Sequence, residues 1–155
     1  MIIPDINLLI YAHDSASPFH SKARIWWEGC LNGNERVGLL TVVALGFVRI
    51  ATHPRIFRDP MSAAEAAGQV RRWMARPQVK WLEPGSGHIE DVLSLLESVG
   101  VAGNLVTDAQ LAAAALQHNA VLHTTDADFT RFAGLRWFNP ITGSGSEERR
   151  RRSKA

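Results

Sequence analysis

The feature that most constrains the fold is the segment 106–129, an Ala-rich stretch that leads into a short apolar run and an acidic turn. Alanine is the strongest helix former, and Leu111 and Ala115 recur at helical spacing, so the sequence predicts a helix over 108–118. The apolar, partly β-branched run at 121–125 predicts a buried strand. A helix followed directly by a strand is half of a parallel αβ unit, which indicates an α/β fold.

Carboxylates stand at both ends of this predicted unit. The helix of such a unit runs antiparallel to its strand, so the helix begins at the edge of the sheet where the strand ends. Asp108 opens the helix, while Asp126 and Asp128 follow the strand. Asp5 likewise follows the apolar run 1–4, and it joins them if the two strands are parallel neighbours. Open α/β sheets bind their ligands at this edge.

Each of these acids also has an ordinary structural interpretation. Asp5 suits a helix N-cap, Thr107 and Gln110 have the spacing of a capping box around Asp108, and the other two acids are common turn residues. Together, however, clustered carboxylates raise one another's pKa unless a cation neutralises them. Hard oxygen ligands without His or Cys suit Mg²⁺ or Mn²⁺. The residues alone therefore favour metal-dependent phosphate chemistry.

The rest of the chain alternates predicted helices with short strands. The length of 155 residues indicates one domain, which we place at 1–141. Ser62 and Glu65 form the pattern of a capping box. Further strands are predicted at 1–4, 37–40, 79–82 and 135–138, and further helices at 6–11, 18–30, 41–52, 62–76 and 88–99. These elements predict a central, mostly parallel sheet of about four to five short strands flanked by helices.

The basic charge of the chain is concentrated at its C-terminal end. Residues 147–155 hold five basic and two acidic groups, which leaves 12 basic against 13 acidic groups in the rest. The body is therefore close to neutral, with a net charge of −1. Segment 142–155 is rich in Gly, Ser, Glu and Arg, so we predict that it is a disordered basic tail.

Several classes of protein and site are disfavoured. No apolar run approaches the ~20 residues of a membrane helix. The single Cys30 excludes an internal disulfide and suits a reducing cytoplasm, which is the predicted location. The six His lack HExxH or zinc-site spacing, and no GxSxG or glycine-rich phosphate loop is present.

Three stretches resemble the PIN-domain ribonucleases, and in particular the VapC toxins of bacterial toxin–antitoxin pairs. They are MIIPDINLLIYA, NLVTDAQLAAAAL and TTDADFTRF, and FVRIATHPRIF is similar to the actinobacterial branch. The resemblance covers residues 1–140 and implies a PIN-like, Rossmann-related fold. It further implies a metal-dependent endoribonuclease, the toxin of a type II toxin–antitoxin system, that hydrolyses phosphodiester bonds of cellular RNA. A cognate antitoxin and a homodimer are the implied protein partners.

The resemblance also implies roles for particular residues. Four acids match the family's catalytic metal ligands for Mg²⁺ or Mn²⁺: Asp5, Asp108, Asp126 and Asp128. Thr124 matches the threonine of the acidic turn, a hydroxyl partner for an acid or a water molecule. The candidates for contact with RNA are Asn7, Arg49, Arg55 and Thr124.

One position departs from the family pattern. Most members carry a Glu in the third helix, where this chain has Gly46. The glycine either removes one ligand and weakens the metal site, or serves the close approach of backbone or substrate. The number of metal ions therefore stays open. Two alternative functions follow: another Mg²⁺-dependent phosphohydrolase, or a PIN-like module that only binds RNA or a partner.

Overall fold

The computed structural model describes residues 1–146, in which six α-helices and one short 3-10 helix surround one six-stranded sheet. The strands are β1 (Ile2–Pro4), β2 (Val37–Leu40), β3 (Val79–Leu82), β4 (Val121–His123), β5 (Trp137–Asn139) and β6 (Ser144–Gly145). The helices are α1 (Ile6–His13), α2 (His20–Asn32), α3 (Thr41–Ala51), α4 (Ala63–Met74), α5 (His88–Val99) and α6 (Leu105–Gln117), and the 3-10 helix is Ala127–Arg131. The predicted α/β class is confirmed.

The sheet has the order β3-β2-β1-β4-β5-β6, and its first five strands are parallel. Strand β1 lies between β2 and β4, with Ile2 opposite Val121 and Pro4 opposite His123. The backbone N–H of Asp5 continues this pairing by donating to the carbonyl oxygen of His123 at 2.9 Å. The two strands that precede the acidic residues are thus parallel neighbours, as the sequence argument required.

The core lies on both faces of the sheet. The apolar residues of β2 are all buried, and Ile3 and Leu122 are likewise fully enclosed. Parallel sheets covered by helices on both faces have such continuous apolar strands instead of alternating ones. Helix α6 contributes a run of buried alanines, whose small side chains suit close packing. Within the part of the chain that the model describes, no helix is long and apolar enough to cross a membrane.

Local sequence signals set several boundaries as predicted. Strands β2 and β3 and helix α5 have the predicted bounds. At the start of α4, the Ser62 hydroxyl accepts from the backbone N–H of Glu65, whose carboxylate accepts from the N–H of Ser62 at 2.8 Å. Asn119 follows α6 with a left-handed φ of 49°, a conformation that asparagine tolerates at helix ends. These features depend on neighbouring residues only.

Helix α6 begins three residues earlier than predicted, at Leu105. Leu105 is buried, and its burial accompanies the additional turn of helix. The capping box predicted for Thr107 and Gln110 is therefore wrong. The Gln110 side chain instead donates to the carbonyl oxygen of Val106 at 3.3 Å. Asp108 consequently lies inside the first turn of the helix, without a capping role.

The C-terminal hairpin is a second difference, because β6 pairs antiparallel with β5 where disorder was predicted from residue 142. The Asn139 side chain accepts from the backbone N–H of Ile141 at 2.9 Å, and Gly143 takes a left-handed φ of 75°. These two features turn the chain back onto the sheet, so the predicted disorder is wrong for β6. The remainder of the basic tail, 147–155, lies outside the described residues, and its disorder stays a prediction.

Candidate active site

Asp5 and Thr124 form the buried floor of the site, at the edge where β1 and β4 end. The Thr124 hydroxyl donates to the Asp5 carboxylate at 2.8 Å and accepts from the backbone N–H of Asp126 at 2.9 Å. Asp5 is 4% exposed and Thr124 is 1% exposed. Asp5 stands at the N-cap position of α1, as its capping interpretation expects, and the nearby backbone N–H groups of Ile6 and Asn7 lower its pKa, although its side chain makes no capping hydrogen bond.

Burial controls the electrostatics of Asp5. Desolvation raises the pKa of its carboxyl to about 6, although the hydrogen bond from Thr124 opposes this change. The charge of Asp126 raises it further. A buried carboxylate that faces another acid is held in an environment that favours a nearby cation.

Asp108 reaches the same site from the first turn of α6. Burial raises the pKa of its carboxyl to about 6, and the charges of Asp5, Asp126 and Asp128 contribute to this increase. Asp108 is half-buried. The other three carboxylates are thus close enough to Asp108 to raise its pKa. Their roles as metal ligands stay a prediction.

The two acids of the turn differ in their surroundings. The Asp126 carboxylate accepts from the backbone N–H of Asp128 at 2.8 Å and starts the 3-10 helix. The Asp128 side chain is 56% exposed and lies 3.7 Å from the Arg131 guanidinium. Two hydrogen bonds therefore hold Asp126: its backbone N–H donates to Thr124, and its carboxylate accepts from Asp128. Asp128 itself lies at the outer rim of the site, beside the guanidinium of Arg131.

The chemistry of these donors fits a hard divalent cation. Carboxylate oxygens are the ligands that Mg²⁺ and Mn²⁺ prefer, and a cation would offset the burial and the repulsion that raise the pKa values of Asp5 and Asp108. Among residues 1–146, no three His, Cys, Asp or Glu side chains are already arranged as a metal-binding group. Asp5, Asp108 and Asp126, with Asp128 as a further or alternate ligand, stay the predicted residues that would hold the ion.

Gly46 packs against α1 and lines an open groove beside these acids. A Cβ atom added at Gly46 would lie 2.6 Å from the Cδ1 atom of Ile6, closer than real side chains allow. This neighbour is the flexible end of a side chain, which can shift, so the close approach of backbone or substrate to Gly46 stays a prediction. The same groove is lined by Arg49, which is exposed on α3.

The other candidates for RNA contact are placed differently. Asn7 is half-buried in the first turn of α1, and Arg55 is exposed beyond the end of α3. The hydroxyl of Thr124 is buried and engaged with two acidic residues. The structure therefore supports Thr124 as the hydroxyl partner of an acid and leaves it no surface for RNA.

Sequence reasoning missed the groove itself. Its polar wall includes His88 and Gln110, and its apolar wall includes Leu45 and Pro84. These residues come from α3, α5, α6 and the loop before α5, so no periodic pattern links them. The rule that helices begin at the sheet edge where parallel strands end can place acids at that edge. It cannot predict a surface formed by four segments that are distant in the chain.

Comparison with known proteins places the chain in a family. The PIN-domain family model matches residues 2–135. Ribonuclease VapC33 of Mycobacterium tuberculosis is 44% identical over 141 residues, which span 91% of this chain and 99% of that protein. Ribonuclease VapC37 of the same species is 40% identical over 140 residues, which span 90% of this chain and 97% of that protein.

Solved structures share the fold. The VapC20 toxin of Mycobacterium tuberculosis, described as cleaving the sarcin–ricin loop, superposes with a TM-score of 0.66 at 18% identity, over 87% of this chain and 96% of that one. VapBC-1 from nontypeable Haemophilus influenzae gives a TM-score of 0.62 at 22% identity, over 90% and 98%. The family match and the two curated relatives extend over nearly the whole described chain. The chain belongs to the PIN-domain family, among the VapC ribonucleases.

Proposed function

We propose that this chain is a metal-dependent endoribonuclease, the toxin of a type II toxin–antitoxin system, which hydrolyses phosphodiester bonds of cellular RNA. The observation that carries the proposal is the group of four acids at one sheet edge, in which burial, with a smaller contribution from mutual repulsion, raises the pKa of Asp5 and Asp108 to about 6. The curated relatives at 44% and 40% identity are named ribonucleases, which supports the same reaction.

The side chains have distinct tasks in this proposal. PIN-domain VapC ribonucleases generally depend on a divalent metal, and we propose Mg²⁺ or Mn²⁺ here. When bound, such an ion activates water and stabilises the charge on the phosphate under attack. Thr124 holds the Asp5 carboxylate in place and fixes the backbone of Asp126. Asp108 stands at the N-terminal turn of α6, where the helix dipole favours a negative charge.

A weakened metal site is the specific alternative, because the chain has Gly46 where most of the family has a Glu. In that case the domain would bind RNA or a partner without cutting. A phosphohydrolase acting on other substrates is the remaining alternative, since related folds support several chemistries. The retention of all four acids favours the nuclease.

The three functions differ in metal and substrate dependence. Purified full-length protein should cut single-stranded RNA internally with Mg²⁺ or Mn²⁺ and stop when EDTA is added. It should leave a simple phosphate monoester intact. Calorimetric titration with Mn²⁺ should give weaker binding for Asp5→Asn than for the native chain. Equal Mn²⁺ binding without RNA cleavage would support the non-catalytic module, and monoester hydrolysis would support the phosphohydrolase.

Two protein partners belong to the proposal. An acidic site that must be silenced suits an antitoxin segment that presents Arg or Lys. A homodimer is supported by apolar side chains that α5 leaves exposed, Ile89 and Leu93. Light scattering that gave a monomer at every concentration would reject the dimer. We also propose a cytoplasmic site of action, because the single Cys30 cannot form an internal disulfide and suits a reducing compartment.

Contact with RNA requires cations, because the body of the protein is nearly neutral. We expect Arg49→Ala and Arg55→Ala each to flatten the salt dependence of RNA binding, by about 0.7 in the slope of log K against log salt. Both side chains are exposed. Fluorescence anisotropy at several salt concentrations gives the slope. Arg24→Ala is the matched control, because Arg24 is already paired with Glu28 at 2.8 Å. An unchanged slope in both variants would reject these contacts.

A further inference from the structure

A groove of about 510 Å³ opens between α1, α3, α5 and α6, and none of the four acids is part of its lining. Its volume lies within the ~300–1,000 Å³ typical of small-ligand sites. Two of its lining residues are chain neighbours of the proposed metal ligands: Ile6 follows Asp5, and Thr107 precedes Asp108. A molecule bound in this groove would therefore lie next to a phosphate held at the acids.

The apolar wall of the groove is suited to the flat face of a nucleobase. It consists of side chains from α1, β2, α3 and the loop before α5: Ile6, Leu40, Val42, Leu45 and Pro84. Leu45 is 62% exposed in the absence of a ligand, although it is a large apolar residue. Gly46 also lines this wall, and the Ile6 side chain packs directly against it.

The polar groups of the groove match the rest of a nucleotide. Thr107 and Gln110 supply a hydroxyl and an amide from α6, while the buried His88, whose Nδ1 lies 3.4 Å from the Gln117 Oε1, lines the groove at the start of α5. Arg49 supplies a guanidinium, for which the described residues contain no ion-pair partner. Hydrogen bonds from such groups can read the edge of an unpaired base, and a guanidinium can contact the next phosphate.

We propose that this groove holds one unpaired nucleobase of the RNA, immediately next to the phosphodiester bond that is cut. The proposal rests on the proposed ribonuclease function and adds its substrate class, which is RNA with an unstacked base at the cleavage site. Gly46 contributes to this subsite as part of its lining, where it has no side chain to occupy the groove. Gln110 determines which base is preferred.

An abasic scan tests the groove directly. The cut is first mapped in a single-stranded oligonucleotide that the protein cleaves, and single abasic residues are then placed at each position around it. We expect one position next to the cut to lower kcat/KM by about tenfold or more, as the loss of base contacts commonly does. Wild-type protein that cleaves every abasic substrate equally well would overturn the proposal.

Leu45→Trp should fill the groove from its rim without disturbing the core, because this side chain is exposed. We expect Leu45→Trp to cleave the base-containing and the abasic substrate with nearly the same kcat/KM, so that the ratio of the two values is close to one. Ile25→Trp adds the same side chain on the exposed surface of α2, outside the groove lining, and should keep the wild-type ratio. Gln110→Leu should change the preferred base. A ratio that survives Leu45→Trp would reject the groove.

Failure of the nuclease proposal gives a different result. If no RNA is cut with either metal, binding is measured instead. The dissociation constants of a short single-stranded RNA and of its fully abasic counterpart are then compared in EDTA. A base-dependent affinity that Leu45→Trp removes would retain the groove while the nuclease proposal fails. Equal affinities would reject the groove in either case.

Discussion

Asp108→Asn is expected to lower kcat/KM for RNA by at least about a hundredfold while the fold survives. The amide keeps the shape of the side chain but removes the negative charge that a divalent cation requires. Asp5→Asn and Asp126→Asn should have similar effects. Asp128→Asn should cost less than about tenfold, because Asp128 is exposed and paired with Arg131. Cleavage rates of a labelled RNA under saturating Mn²⁺ measure these losses.

Asp59→Asn is the matched control for these variants. Asp59 is exposed in the loop between α3 and α4, is not among the charges that raise the pKa of Asp5 or Asp108, and should tolerate the change. Circular dichroism confirms that each variant is folded. An Asp108→Asn protein that is folded and cuts within threefold of the native rate would refute the proposed role of Asp108. Equal losses for Asp59→Asn would indicate a general effect of charge.

Asp5→Asn is expected to raise the free energy of unfolding of the metal-free protein by about 1–3 kcal/mol at pH 7. Burial raises the pKa of Asp5 to about 6, from ~3.9 in the unfolded chain. Between these values the folded state keeps a proton that the unfolded state has lost, so ionisation costs stability as pH rises through this range. The full cost is present at pH 7. An asparagine carbonyl avoids it and still accepts from Thr124.

Urea unfolding in EDTA from pH 4 to pH 7 provides the test. The difference between Asp5→Asn and the native protein should be small near pH 4 and grow until about pH 6. Added Mn²⁺ should stabilise the native protein more than the variant, because the variant lacks a ligand. A variant less stable than the native chain at pH 7 would show that hydrogen bonds to the carboxylate outweigh the cost of its burial.

Most elements of the fold could be predicted because their signals are local. The capping box at Ser62 and Glu65 depends on four consecutive residues. The apolar run of β2 predicts a buried strand without any knowledge of the residues that pack against it. The early start of α6 and the hairpin at β6 could not be predicted in this way. The burial of Leu105 and the pairing of β6 with β5 depend on distant parts of the chain.

The candidate site divides in the same manner. Helix starts and strand ends share an edge in a parallel αβ unit, and this rule is enough to predict that Asp108 lies near Asp126. The rule does not show that Asp5 is almost completely buried under a hydrogen bond from Thr124, 119 positions away in the chain. It also does not show that Gly46 lies against Ile6 and beside an open groove. Those facts require the packing of α1 against α3.

The sequence by itself determined the α/β class, the order of the elements and the set of acids at one sheet edge, because strand, helix and turn preferences act over a few residues. Only the tertiary structure decided how deeply each acid is buried, which hydroxyl holds it and which surface adjoins it. Desolvation depends on every atom packed around a carboxylate. Those atoms come from segments that only folding brings together, so neither the pKa of Asp5 nor the groove beside it can be deduced from local patterns.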